Sequence, residues 1–265
     1  MTLSLCSLSS GSNGNCYLVK TEKAAILIDA GISATRILKE LSRTETPHEM
    51  VKALFLTHEH HDHMTGARVL LKKLASANVY ASQGTFEMLS FDDISKDRCV
   101  VIAPDEPVTI GDIRVYAFRT LHDAADPYGY YIYSGGKRIA LLTDTGVVTD
   151  EMIECVADAD VFILESNHDT EILRKGSYPW YLKQRILSDY GHLSNSQAAD
   201  VLLRMFAYLD KKRVVLLAHL SAENNTPAIA EQTVLTALAR ENRYTGSDLY
   251  LGVLLRGEAS LLFTL

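Results

Sequence analysis

The sequence stretch ALFLTHEHHDHMTG, residues 53–66, sets four histidines and two carboxylates within six residues directly after an apolar run. These side chains are His58, Glu59, His60, His61, Asp62 and His63. Imidazoles this close would repel one another if they were protonated together. A metal cation bound among them would keep them deprotonated and neutral. Neutral imidazole and carboxylate are ligands for zinc, manganese and iron. The spacing therefore indicates a metal site, and a solvated histidine-rich loop is the alternative.

Further ligands come from later parts of the chain, and together they predict two divalent ions. In our assignment one ion takes three histidines, the other takes an aspartate and two histidines, and one carboxylate bridges both: His58, His60 and His122; Asp62, His63 and His219; and Asp144. A bridging carboxylate suits cations about 3.5–4 Å apart that share a hydroxide. Asp62 would also orient that hydroxide. Zinc or manganese is expected, and iron is possible.

Six short apolar runs each end at a histidine or a carboxylate. These end residues are Asp29, His58, His122, Asp144, Glu165 with His168, and His219. Short runs that are apolar on both faces are typical of strands in a sheet covered on both sides. Because α/β proteins usually carry their chemistry at the carboxyl ends of strands, we expect these side chains at one rim of a sheet.

Helices are predicted between these strands from apolar residues at a spacing of three to four. The predicted ranges are 33–42, 66–76, 195–208 and 227–242. Ser194 or Asn195 is a plausible N-cap, and Pro227 suits a first turn. The order of elements predicts one compact four-layer αββα domain over residues 1–265, with a seam near residues 134–137.

Composition is that of an ordinary globular protein of 265 residues, with a formal net charge of −7. The acidic total disfavours a nucleic-acid coat protein but allows a nuclease, since bound divalent cations are not counted. We expect no signal peptide and no membrane span, and therefore a cytoplasmic protein. The four scattered cysteines are expected to be buried apolar residues.

The HxHxDH pattern with later His, Asp and His resembles the metallo-β-lactamase superfamily over essentially the whole chain. Narrower motifs resemble the YycJ/WalJ-type hydrolases: SGSNGN at 10–15, TLHDAADPYGYY at 120–131, ESNHD at 165–169, YPWYLKQRI at 178–186, GHLSN at 191–195 and LAHLSAENN at 217–225. That bacterial family is treated as DNA exonucleases acting from 5′ ends. His61 departs from the pattern, because relatives more often carry a small residue there, and we expect it to point away from the ions.

The resemblance implies a four-layer αββα fold of the metallo-β-lactamase type. It also implies a dinuclear metal-dependent phosphodiesterase, a 5′-to-3′ exonuclease on double-stranded DNA that uses the metal-bridging hydroxide as nucleophile. Hydrolysis of small thioesters or lactones at the same ions is the alternative. A non-enzymatic metal-binding scaffold is a third hypothesis.

Two further histidines are candidate catalytic residues. His192, in GHLSN, is similar to the histidine that RNase Z-like and β-CASP nucleases place against the scissile phosphate, and it would donate a hydrogen bond or proton there. An exposed histidine in a helix-capping loop is the alternative. His168 would contact the substrate or support the metal ligands.

The segment 173–185 interleaves basic and aromatic side chains, which suits a DNA strand. Its candidate substrate contacts are Tyr178, Trp180, Lys183 and Arg185. A homodimer interface is the alternative, because tryptophan, tyrosine and arginine are also favoured there.

The glycine- and serine-rich loop 9–15 is a hairpin turn by default. Its backbone N–H groups could also receive a terminal phosphate. Ser10, Ser12 and Asn13 are the candidate contacts.

Overall fold

The computed structural model describes residues 2–89, 91–104 and 106–265. The chain divides into two compact units. The first unit comprises the residues up to Arg119, Ala124–Lys137 and Arg256–Leu265, and the second comprises Thr120–Asp123 and Arg138–Leu255. The boundary after Lys137 adjoins the seam that the sequence suggests.

The strands, in chain order, are β1 (Ser4–Ser9), β2 (Cys16–Lys20), β3 (Ala25–Ile28), β4 (Val51–Phe55), β5 (Asn78–Ala81), β6 (Cys99–Val101), β7 (Val108–Ile110), β8 (Ile113–Arg119), β9 (Tyr128–Ser134), β10 (Lys137–Leu142), β11 (Val161–Glu165), β12 (Arg213–Ala218), β13 (Leu249–Val253) and β14 (Phe263–Thr264). The α-helices are α1 (Ala34–Arg43), α2 (His61–Met64), α3 (Ala67–Lys73), α4 (Gln83–Met88), α5 (Asp150–Val156), α6 (Thr170–Lys175), α7 (Trp180–Ile186), α8 (Asn195–Tyr208) and α9 (Pro227–Arg240). Short 3₁₀ turns lie at His48–Met50 and Lys96–Arg98.

Within the described residues, the strands form two mixed sheets of seven strands each. The first sheet has the order β14-β1-β2-β3-β4-β5-β6, and β3 to β6 run parallel. The second has the order β13-β12-β11-β10-β9-β8-β7, and β10 to β13 run parallel. Every residue of β3 and β11 is buried, as predicted for runs that are apolar on both faces.

The four predicted helices correspond to α1, α3, α8 and α9, so their existence is confirmed. Ser194 caps α8 through a capping box with Gln197, and Pro227 occupies the first turn of α9. The helix predicted over 66–76 ends earlier, at Lys73, because Leu74 leaves helical backbone angles.

Each unit holds its strand ends against a buried apolar core. In the first unit, Ile37 and Leu41 of α1 and Leu70 of α3 are buried in one cluster with Leu27 and Leu54 of the sheet. In the second unit, α8 packs against α5 and α9. Burial of this apolar surface stabilises the elements that carry the polar strand ends. Among the described residues, no helix has both the length and the apolar character of a membrane span.

Candidate metal centre

In the first unit, two parallel strands and a short helix gather the histidine-rich segment. β3 and β4 are paired, and α2 begins directly after the loop that follows β4. The ring centroid of His58 lies 4.6 Å from that of His60 and 4.2 Å from that of His63. His63 Nε2 lies 3.4 Å from Asp62 Oδ2. The four predicted ligands of this segment are therefore brought together, while His61 is exposed.

The fully buried carboxylate of Asp29 orients this cluster. It accepts hydrogen bonds from the Thr57 backbone N–H at 2.8 Å and from His63 Nδ1 at 2.7 Å. The Thr57 hydroxyl also donates to Asp29 and lies 3.0 Å from His58 Nδ1. Burial raises the pKa of the Asp29 carboxyl, although His63 and Thr57 oppose this shift. These contacts place the His63 proton on Nδ1, so a metal would bind Nε2.

In the second unit, three parallel neighbouring strands deliver a second cluster. Asp144, Glu165 and His219 lie at or just after the carboxyl ends of β10, β11 and β12. Asp144 Oδ1 lies 3.5 Å from His219 Nδ1 and 3.9 Å from Nε2 of His122. His122 donates from Nδ1 to the Gly191 carbonyl at 3.0 Å. The predicted ligands of this unit therefore also lie together.

Glu165 joins this cluster to His192 through one fully buried carboxylate. Its Oε1 accepts from Nδ1 of His192 at 2.8 Å and from Nδ1 of His219 at 2.9 Å. Its Oε2 accepts the backbone N–H groups of Thr145 at 3.1 Å and Leu193 at 3.2 Å. Burial alone would raise the pKa of Glu165, but the two histidines outweigh burial and hold it below its usual range. The sequence alone left the role of Glu165 open.

Three of the strand-end residues have left-handed backbone angles. Asp29, Asp144 and His219 have φ values of 59°, 58° and 57°. Such angles are uncommon outside glycine, and they persist where surrounding contacts impose them. At His219 one such contact comes from Asn167, whose side-chain amide donates to the His219 carbonyl at 2.8 Å.

The donor sets fit divalent transition metals. In His63, His122 and His219, Nδ1 is hydrogen-bonded to Asp29, the Gly191 carbonyl and Glu165, respectively. Metal-binding histidines in proteins commonly donate their second ring N–H in this way. Burial lowers the pKa of His122, which favours the neutral imidazole that metals require. Nitrogen and oxygen donors of this kind suit zinc, manganese or iron.

Residues 24–220 match the family described as the β-lactamase superfamily domain. The chain belongs to the metallo-β-lactamase superfamily. It is 39% identical over 245 residues to exodeoxyribonuclease WalJ of Streptococcus pneumoniae serotype 2, covering 91% of this chain and 90% of that protein. It is 38% identical over 233 residues to exodeoxyribonuclease YycJ of Bacillus anthracis, covering 87% of each.

Solved structures of the metallo-β-lactamase superfamily share this α/β sandwich fold. The metallo-β-lactamase fold protein YhfI from Bacillus subtilis superposes with a TM-score of 0.71 over the full length of both chains, at 17% identity. Together with the family match, this similarity confirms the fold class expected from the sequence.

The surroundings of His168 differ from those of His63, His122 and His219, whose Nδ1 atoms are hydrogen-bonded. Its side chain is buried, and neither ring nitrogen has a hydrogen-bond partner among the residues that the structure describes. Burial lowers the pKa of His168 to about 4, so the ring is neutral at neutral pH. A buried polar group without a protein partner is costly unless water or a ligand satisfies it.

This low pKa predicts a measurable acid sensitivity. Because the pKa of His168 falls from 6.5 to about 4 on folding, the unfolded chain takes up a proton first as the pH drops. Stability should therefore decrease from about pH 6.5 to pH 4, by up to about 1.4 kcal/mol per pH unit from this residue. In urea titrations across this range, His168→Gln should show a shallower pH dependence than the unaltered chain. An identical slope would contradict the prediction.

Two of the predicted substrate contacts are buried and hydrogen-bonded within the protein. Lys183 is buried, and its ammonium donates to the carbonyls of Arg174 at 2.8 Å and Gly176 at 2.7 Å, at the end of α6. A cation there satisfies carbonyls that the helix end leaves without partners. Ser10 is buried, with its hydroxyl 3.1 Å from that of Tyr17. Their role as substrate contacts therefore stays a prediction.

The other predicted substrate contacts are more accessible. Trp180 is 66% exposed at the start of α7, Tyr178 is half-buried, and Ser12 and Asn13 are exposed in the loop between β1 and β2. Arg185 is exposed but forms a two-pronged ion pair with Asp123. Of the two predicted basic contacts, Lys183 is thus buried, and the charge of Arg185 is partly neutralised by Asp123.

Proposed function

We propose that this chain is a dinuclear metal-dependent phosphodiesterase that removes nucleotides from the 5′ ends of double-stranded DNA. Relatives at 38–39% identity over about nine-tenths of the chain are exodeoxyribonucleases, which supports DNA as the substrate. The observation that carries the proposal is the Glu165 carboxylate, which holds His192 beside the proposed ligand His219. A leaving 3′-alkoxide is a strong base and needs a proton donor, whereas a leaving thiolate, with a pKa of about 8.5, needs much less help.

The proposed metal ligands are the seven side chains of the two clusters: His58, His60, Asp62, His63, His122, Asp144 and His219. Bound divalent ions would supply an activated water as nucleophile at neutral pH and would neutralise charge on the phosphate. Asp29 and Glu165 hold the ligand imidazoles in one tautomer and one orientation.

His192 is proposed as the donor to the leaving oxygen. Its Nδ1 is hydrogen-bonded to Glu165, so Nε2 is the ring atom that can serve a substrate. Its ring is partly exposed, at 16%, which allows access. The adjacent carboxylate balances the charge of the ring when it carries the extra proton. His168 is proposed to contact the substrate, because its buried ring nitrogens lack partners among the described residues.

His192→Ala is expected to lower turnover by about 100-fold or more, since a positioned general acid contributes that much. Metal content should stay at the unaltered value, because His192 is not among the proposed ligands. Elemental analysis and single-turnover cleavage assays measure the two quantities. His61→Ala, which removes an exposed histidine of the histidine-rich segment 58–63, is the matched control and should retain activity. Full turnover in His192→Ala would remove His192 from the mechanism.

The activity itself is tested with the purified protein, Mn²⁺ or Zn²⁺, and end-labelled DNA duplexes with and without a 5′-phosphate. Thioesters and lactones are assayed in parallel. Progressive release of mononucleotides from the 5′ end is expected. Cleavage of esters without cleavage of DNA would overturn the proposal in favour of small-molecule hydrolysis.

A further inference from the structure

The loop 187–190, between α7 and Gly191, combines exposed apolar side chains with a tightly held backbone. Tyr190 is 57% exposed and Leu187 is 39% exposed. The Tyr190 carbonyl accepts the backbone N–H of Asp123 at 3.1 Å. The next carbonyl, that of Gly191, accepts from Nδ1 of His122 at 3.0 Å. Tyr190 is therefore anchored directly beside the proposed metal ligand His122.

Glycines allow this close approach. A Cβ atom at Gly146 would lie 2.1 Å from the Ser188 carbonyl oxygen, and one at Gly191 would lie 2.2 Å from that of Ile186. Gly146 also donates its N–H to the carbonyl of Leu121 at 3.1 Å. The loop thus packs against the backbone that follows Asp144, and its Tyr190 carbonyl is bonded to the backbone that follows His122. An exposed ring on such a backbone loses little conformational freedom when it binds a ligand.

The charges around Tyr190 favour a nucleobase over a phosphate as its partner. Asp189 is exposed in the same loop, and the nearby Asp123 is an acid whose charge is matched by Arg185. The side chains of this loop, together with the Asp123–Arg185 pair, therefore carry a net negative charge, which disfavours a phosphate on the exposed ring of Tyr190. A planar, exposed tyrosine can instead stack on the face of any base.

We propose that Tyr190 is a specificity-determining residue that stacks on an unpaired nucleobase next to the scissile phosphate. This inference rests on the proposed nuclease function and deepens it. Stacking requires the base to have left its own helix stack, so the enzyme should prefer a frayed or single-stranded terminal nucleotide over one that is firmly paired. It should also discriminate against a terminal nucleotide that lacks a base.

The test compares duplexes whose unpaired 5′-terminal nucleotide carries either a base or a tetrahydrofuran abasic analogue. The unaltered protein should cleave the abasic substrate with a kcat/KM roughly tenfold or more below that of the base-bearing one, as expected for loss of one stacked base. Tyr190→Phe should keep this preference, and Tyr190→Ser should abolish it by lowering cleavage of the base-bearing substrate alone. Tyr208→Ser removes an equally exposed tyrosine, at 58%, and should behave like the unaltered protein.

A binding measurement decides the inference independently of turnover. The fluorescence of a terminal 2-aminopurine should be quenched by the unaltered protein and by Tyr190→Phe, and much less by Tyr190→Ser. Equal quenching and equal base preference in all variants would overturn the role of Tyr190 while leaving the nuclease proposal intact. Quenching without any DNA cleavage would contradict the nuclease proposal and support the stacking contact. A change of oligomeric mass in Tyr190→Ser, with base preference unaltered, would assign the residue to a protein interface and overturn the inference.

Discussion

Glu165→Gln is expected to lower turnover by about 100-fold and to destabilise the fold by about 2–4 kcal/mol. Each Glu165 oxygen accepts two hydrogen bonds, from the imidazoles of His192 and His219 on one side and from two backbone N–H groups on the other. A glutamine has one acceptor oxygen and one NH₂ group. In either orientation the NH₂ group faces two donors, so two buried N–H groups lose their acceptor.

Urea unfolding and single-turnover assays measure the two effects of Glu165→Gln. The matched control is Glu171→Gln on α6, where the carboxylate is exposed and pairs with Lys175 at 3.1 Å. A surface pair of this kind contributes at most about 1 kcal/mol, so this variant should be close to the unaltered protein in both assays. Equal stability of the two variants would show that the Glu165 carboxylate does not hold the cluster.

On the proposed dinuclear site, Asp144→Asn is expected to reduce bound metal from two ions per chain to one or fewer. Replacing a residue that is only hydrogen-bonded to a metal ligand typically lowers activity by roughly 10–100-fold. Turnover should fall by more than this here, because Asp144 is itself a proposed ligand. Asparagine has nearly the same volume as aspartate and tolerates the left-handed backbone that Asp144 adopts, with φ 58°. The fold should therefore be retained, and the loss should come from the missing negative charge of the carboxylate that would hold the metal.

Elemental analysis of protein loaded with Mn²⁺ or Zn²⁺, together with the DNA cleavage assay, tests the Asp144 variant. Asp150→Asn makes the same substitution at a side chain that is 92% exposed, and it should retain both metal and activity. Two bound ions and unaltered turnover in Asp144→Asn would exclude Asp144 as the bridging ligand.

Local order in the chain was sufficient to predict much of the fold and the first ligand cluster. His58, His60 and His63 all lie in the short loop and helix that follow β4, so residues close in sequence are also close in space. Alternation of short apolar runs with amphipathic segments predicted the buried strands and the main helices, because both signals depend on residues only two to four positions apart. Ser194 was identified as an N-cap for the same reason.

Contacts between distant residues could be decided only by the tertiary structure. Glu165 serves His192 and His219 at once because a parallel sheet brings β11 beside β12 and the loop before α8 returns to the same edge. Lysine side chains usually lie at the surface. Lys183 is nevertheless buried, and its ammonium donates to two backbone carbonyls at the end of α6. Tyr190 had no signal in the sequence, since its anchoring beside His122 comes from hydrogen bonds to its own backbone carbonyl and to that of Gly191, which its residue type does not encode.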